Sequence, residues 1–249
     1  MSNLLDKITY GDCLDIMSEI PDNSVDMVLC DLPYGTTACA WDVIIPFDQL
    51  WKHYNRVCKS NSAIVLFGQE PFTSYLRLSN ITNFKYDWYW EKERLTNVAQ
   101  VKRRAGKTVE TISVFYNKQC TYNPQMQIHS GPKRTNKVGS GKQGTLISGN
   151  SMEVKEYVDT GLRYPTQVLK FQRDILKSNL HPTQKPVALC EFLINTYTNE
   201  FDVVLDNCIG SGTTAIACMN TSRHYIGIEK DEGFVKIANS RIEQHFNTI

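Results

Sequence analysis

The sequence predicts an α/β fold: a mostly parallel, twisted sheet with helices on both faces and a basic region inserted into it. Three observations predict it. Short apolar segments without alternation, at 25–30, 63–67 and 203–205, read as strands covered on both faces. Segments with apolar residues at helical spacing separate them. Between about 118 and 180 this rhythm stops, and basic residues and glycines take over.

Taken in order, residues 8–10 read as a short strand and 13–20 as a helix carrying Leu14, Ile16, Met17 and Ile20. The turn Pro21-Asp22-Asn23-Ser24 leads into the strand 25–30. Asp48 is placed to cap a helix running to about Cys58, with Leu50, Trp51, Tyr54 and Val57 on one face. The strand 63–67 ends at Gly68, and 85–90 and 109–116 read as two more strands, with Trp88 and Trp90 in the core. After Pro186 come a helix at 187–197, a strand at 203–205, a helix at 213–219, a strand at 225–228 and a closing amphipathic helix at 234–245. The organisation expected is a catalytic part at 1–117, an insertion at 118–180 and a second part of the same domain at 181–249.

The chain has 249 residues and a formal net charge of +1, which hides an uneven distribution. Residues 85–185 hold 18 Lys and Arg against 8 Asp and Glu, while the remainder holds 9 basic and 18 acidic residues. A basic middle in an acidic frame points to a polyanionic partner there. No apolar run reaches the roughly 18–20 residues of a membrane span, so a membrane protein is not expected. Nor does the N-terminus read as a signal peptide. The eight cysteines include no C-x-x-C pair and several lie in apolar runs, which argues against a metal site or a disulfide scaffold and for a cytoplasmic location.

Two motifs carry chemistry. The segment from Val203 through Asp206-Asn207-Cys208-Ile209-Gly210-Ser211-Gly212 to Thr213-Thr214-Ala215 is a strand, a glycine turn and a helix start. Such a turn lets a ligand approach backbone N–H groups closely. A P-loop would need a lysine after Gly212, and none is there. Gly210, Gly212 and Ala215 satisfy a dinucleotide fingerprint, with Glu229 as its ribose acid, but little chain is left after Glu229 for a dinucleotide domain. S-adenosylmethionine, which has a ribose and no pyrophosphate, suits Asp206 and Glu229 better. The second motif is Asp31-Leu32-Pro33-Tyr34, a carboxylate, a rigid proline and an aromatic at the end of a buried strand.

Asp31-Leu32-Pro33-Tyr34 resembles the D-P-P-Y motif of the amino-methylating DNA methyltransferases, and Asp206 to Thr214 resembles that family's cofactor loop. Between them His181-Pro182-Thr183-Gln184-Lys185-Pro186 is similar to its H-P-T-Q-K-P segment. The order of the motifs is that of the family's beta class. The resemblance implies a Rossmann-like methyltransferase fold with a target-recognition insertion, and transfer of a methyl group from S-adenosylmethionine to an exocyclic amine of a flipped base in double-stranded DNA. It implies that Asp31 and the Leu32 carbonyl accept the amine's N–H bonds, that Pro33 stiffens the turn, and that Tyr34 stacks on the base. Asp at the first position favours adenine N6 over cytosine N4. One departure is that Leu32 stands where the family has its first proline. Gly11-Asp12-Cys13 resembles the family's G-D element at the cofactor adenine, though Asp12 equally suits a helix cap.

By the same resemblance Asp12, Cys13, Asp31, Thr183, Lys185, Asp206, Gly210, Ser211, Gly212, Thr213, Thr214 and Glu229 are the expected cofactor residues. Lys185 has a second reading, as a plain surface lysine. Phosphate contacts are expected from Lys102, Arg103, Arg104, Lys107, Lys133, Arg134, Lys137 and Lys142. Trp41-Asp42 is expected on a loop closing over the base, and beta-class relatives often form homodimers. A nicotinamide-dependent enzyme and a non-catalytic DNA binder are the alternatives.

Overall fold

β-Branched, leucine and aromatic residues fill the extended segments, and their alternation decides which face of a sheet each one serves. The computed structural model describes residues 3–36, 42–128, 131, 159–174 and 184–247. Its strands are β1 (Lys7–Tyr10), β2 (Val25–Cys30), β3 (Cys58–Gly68), β4 (Phe84–Glu91), β5 (Val109–Phe115), β6 (Gln127–Ile128), β7 (Leu162–Arg163), β8 (Val168–Lys170), β9 (Val203–Asp206) and β10 (His224–Glu229). Its helices are α1 (Cys13–Met17), α2 (Phe47–Val57), α3 (Phe72–Ser79), α4 (Val187–Tyr197), α5 (Thr213–Asn220) and α6 (Glu232–Phe246).

Among the described residues eight strands form one sheet in the order β1-β10-β9-β2-β3-β5-β4-β8. Only β5 runs against the rest, pairing antiparallel with β3 and β4. Two apolar cores lie on the two faces. On β2 and β3, Met27, Leu29, Ala63, Val65 and Phe67 join Leu189, Leu193 and Ala217 of α4 and α5. The alternate residues Val28, Cys30, Ile64 and Leu66 join Met17, Leu50, Tyr54 and Leu76 of α1, α2 and α3. The continuous apolar strands of the sequence are therefore residues buried on both faces of one sheet, as expected for parallel pairing.

This body comprises Met1–Asn123 and Gln167–Ile249; Pro124–Thr166 forms a second compact unit. In the second unit β6 and β7 pair antiparallel, and Arg163 donates two bonds of 2.7 Å to the buried Asp159. Among the described residues no helix is long and apolar enough to cross a membrane.

Several local expectations need correction. Asp48 does not cap α2; Pro46 stands at that position and Asp48 lies in the first turn, where its charge faces the helix's positive end. The first helix stops at Met17, because Ser18 turns its hydroxyl and amide back onto the Asp15 carbonyl. Helix α3 follows β3 directly, with Pro71 at its N-terminal boundary, and was not among the expected elements. Residues 168–170, inside the irregular stretch, form the sheet's edge strand β8 alongside β4. Trp88 and Trp90 are buried as expected.

Candidate active site

Strands β2 and β9 are neighbours in parallel register, with Met27 opposite Val204 and Val28 opposite Leu205. Their C-terminal ends therefore lie side by side, and Asp31 and Asp206 line one cavity of about 870 Å³. Open parallel sheets bind ligands at this edge, where strands end and loops diverge. Gly11, Asp12 and Cys13 follow β1, Gln69 follows β3, and Glu229 ends β10; all line the same cavity.

On the β9 side the loop is tightly held. Thr214 donates its hydroxyl to Asp206 at 2.6 Å, and the Cys208 amide donates to the same carboxylate at 3.1 Å. Burial pushes the Asp206 carboxyl up to about 7, even though those two donors pull it the other way. Gly210 and Gly212 both adopt positive φ, at 53° and 82°, which carries the strand sharply into α5. The Gly210 amide donates to Glu229 at 2.9 Å, and the Asp231 amide donates to its other oxygen at 2.9 Å. Arg241 of α6 grips the carbonyl and hydroxyl of Ser211 from behind.

On the β2 side each Asp31 oxygen accepts one side-chain bond. Tyr34 donates its hydroxyl to one Asp31 oxygen at 2.5 Å, and Lys185 donates to the other at 2.5 Å. Lys185 also pairs with Glu110 at 2.8 Å, and Glu110 pairs with Lys92 at 2.5 Å. Lys185 is thus no surface lysine: its side chain is 10% exposed and its ammonium lies over the Phe67 ring. Burial acts to lower its pKa, but Asp31 and Glu110 outweigh that and raise it. The Tyr34 ring packs against Phe72 at 5.0 Å. Asp42 accepts the Gly35 and Thr36 amides at 2.8 Å each and so fixes the exit of the motif. Leu32 is buried in the core beside Cys30, so the residue replacing the family's proline serves packing.

The expected cofactor residues Asp12, Cys13, Asp31, Lys185, Asp206, Gly210, Ser211, Thr213, Thr214 and Glu229 all line the one cavity. Gly212 sits behind it, against Ala238. Asp12 both lines the cavity and caps α1, accepting the Leu14 amide at 2.9 Å. Arg104 and Lys107 reach its rim, while Lys102 and Arg103 are exposed nearby in sequence. Thr183, Trp41, Lys133, Arg134, Lys137 and Lys142 lie outside the described residues. Sequence reasoning missed Lys92, Glu110 and Arg241, and it placed Asp42 on a loop over the base without its bonds to Gly35 and Thr36. Only Glu110 carried a signal, as an acid on the strand face it shares with Ile112 and Val114.

A doubly covered parallel sheet whose strand ends bring a D-x-P-Y turn against a glycine loop and an acid defines the site of an amino-methyltransferase. The chain belongs to the DNA methylase family that acts at N6 or N4, matching it over residues 25–240. It is 24% identical to the type II methyltransferase M.HindIII of Haemophilus influenzae, covering 96% of each chain. It is 26% identical to the DNA adenine methyltransferase YhdJ of Escherichia coli, covering 95% of this chain and 82% of that one. Its fold matches the crystal structure of the M1.HpyAVI–SAM complex with a TM-score of 0.62 and 25% identity, over 94% and 98% of the two chains. It also matches the cytosine-N4-specific PvuII DNA methyltransferase with a TM-score of 0.65 and 17% identity, over 96% and 90%, a likeness of fold alone.

S-adenosylmethionine is the methyl donor of this family, and the residues present fit it. Gln184 and Thr213 both line the cavity, and each has a buried polar atom, Nε2 and Oγ1, with no partner among the described residues. Each Glu229 oxygen accepts one backbone amide, which leaves a lone pair for a ribose hydroxyl. A cavity of about 870 Å³ is large enough for a nucleoside-sized ligand.

Proposed function

We propose that this DNA methyltransferase is site-specific and modifies the exocyclic N6 amine of adenine in double-stranded DNA. The observation that carries this reading is that Asp31, and not a serine, directly follows β2 in the cavity that Asp206 and Glu229 also line. The relative YhdJ, an adenine methyltransferase by name, supports the same base.

The amine of a nucleobase is a weak nucleophile, because its lone pair is delocalised into the ring. Asp31 and the Leu32 carbonyl oxygen accept its two N–H bonds, which favours a pyramidal nitrogen with a directed lone pair. Tyr34, its ring backed by the buried Phe72, offers aromatic surface beside that position for the extruded base. Asp42 keeps the motif's exit rigid, so the acceptors are already in place when the base arrives. Asp206, Gly210 and Glu229 provide the wall for the donor, with Glu229 toward the ribose and Asp12 toward the adenine. Bound there, S-adenosylmethionine supplies an electrophilic methyl group on a sulfonium sulfur. Basic residues from 102 to 142 contact phosphates, with Lys102, Arg103, Arg104 and Lys107 as the described set. A homodimer is the assembly suggested by the family resemblance.

The test has two parts. Nucleosides from DNA methylated by the purified protein should contain N6-methyladenine; N4-methylcytosine would select the other base. Asp31→Ala should abolish transfer while donor affinity stays within about threefold, since Asp31 acts mainly in the transition state. Wild-type turnover in that variant would refute the mechanism.

A further inference from the structure

Glu110 lies on the face of β5 that carries Ile112 and Val114, both fully buried, and is itself 3% exposed. A carboxylate among core residues costs free energy unless it is paired and hydrogen-bonded. Both its oxygens are taken: Lys92, just past β4, reaches one at 2.5 Å, and Lys185, just before α4, reaches the other at 2.8 Å. Tyr34 lies 3.4 Å from the second oxygen through its hydroxyl. Four side chains from separate elements thus alternate in sign: Lys92, Glu110, Lys185 and Asp31.

We propose that Glu110 is a positioning residue for methyl transfer, acting through Lys185 on the Asp31 carboxylate. Lys185 stands between two acids and divides its N–H bonds between them. An ammonium held between two acids in this way has its direction on Asp31 fixed and cannot turn about that carboxylate. The carboxylate keeps lone pairs for the target amine, and its position is set by Lys185 and Tyr34 together. Removing the Glu110 charge leaves two buried ammonium groups, Lys92 and Lys185, facing a single carboxylate. Lys185, already 2.5 Å from Asp31, would then lose the second acid that fixes its direction and would turn about that carboxylate into the amine's place. Burial acts to raise the Glu110 pKa, yet the two lysines hold it below the usual carboxylate value, so the chain stays ionised in use. Among the described residues Glu110 makes no hydrogen bond or ion pair with Asp206, Gly210 or Glu229, so that wall of the cavity should not feel the change.

This inference rests on Asp31 being the amine's acceptor. The experiment is single-turnover transfer from labelled S-adenosylmethionine to DNA by Glu110→Gln, with donor and DNA affinities measured on the same preparation. The rate constant should fall by about ten- to a hundredfold, a typical effect of a sub-ångström to ångström misplacement, with both dissociation constants within about twofold. A rate within about twofold of wild type overturns the inference. So does a loss that merely follows weakened donor or DNA binding. If Glu110→Gln does not fold, the double variant Lys92→Met/Glu110→Gln keeps the buried charges balanced and must show the same split. Asp31→Ala is run alongside: full activity there would remove the assignment beneath, whereas an inactive Asp31→Ala with a wild-type Glu110→Gln would refute Glu110 alone.

Discussion

Tyr54 of α2 donates its hydroxyl to the Asn207 side chain at 2.6 Å, joining the helix of the first motif's half to the cofactor loop 153 residues away. Both groups are buried, Tyr54 fully and Asn207 at 1% exposure. Asn207 follows Asp206 directly, so this bond sets where the loop leaves β9.

Tyr54→Phe should therefore loosen the loop and not only the core. It leaves the Asn207 carbonyl oxygen without its donor, at a cost of about 1–3 kcal/mol in unfolding free energy. Urea denaturation reads the first effect. Donor affinity by calorimetry should weaken in the same variant; an unchanged affinity would show that the loop is held by other contacts.

Gly212→Ala should be more severe than an ordinary helix-start substitution. Gly212 has φ near +82°, and an added Cβ would come within 3.0 Å of the Ala238 Cβ and 3.3 Å of its Cα. The left-handed backbone alone costs about 1–2 kcal/mol for a residue with a side chain, and α6 must also move back. Thermal denaturation should show a lower Tm, and donor binding should fall with it.

Asp206 predicts a pH dependence with a definite sign. Burial holds its carboxyl near 7 in the folded chain, against an ordinary value of 3.8. The folded state then carries more protons than the unfolded state between those values. This contribution to stability is full below the unfolded pKa and is lost as pH rises through about 7, with a slope of at most ~1.4 kcal/mol per pH unit. In Asp206→Asn, which keeps an acceptor for Thr214, the fall in stability from pH 4 to 7 should be flatter. Denaturant titrations across that range compare the two chains; parallel curves would refute the assignment.

Arg104 and Lys107 at the cavity rim should contribute to DNA affinity through phosphates. Each change to glutamine should weaken binding similarly for all sequences and reduce the slope of log K against log salt by about 0.9 per lost contact. Fluorescence anisotropy over a salt series measures this.

By itself the sequence determined the class of fold, most element positions and the two motifs, because these are local properties. Apolar runs of strand length, the glycine turn at 210–212 and the Asp31-Leu32-Pro33-Tyr34 tetrapeptide are each written in consecutive residues. What only the tertiary structure decided is which side chains from distant segments share charge. Lys92 and Glu110 had no role legible in the sequence, and Lys185 had a surface reading, until the order β9-β2-β3-β5-β4 linked the three to Asp31. The physical reason is that an ion pair of this kind depends on strand order and register across up to 154 residues, and no local spacing encodes either.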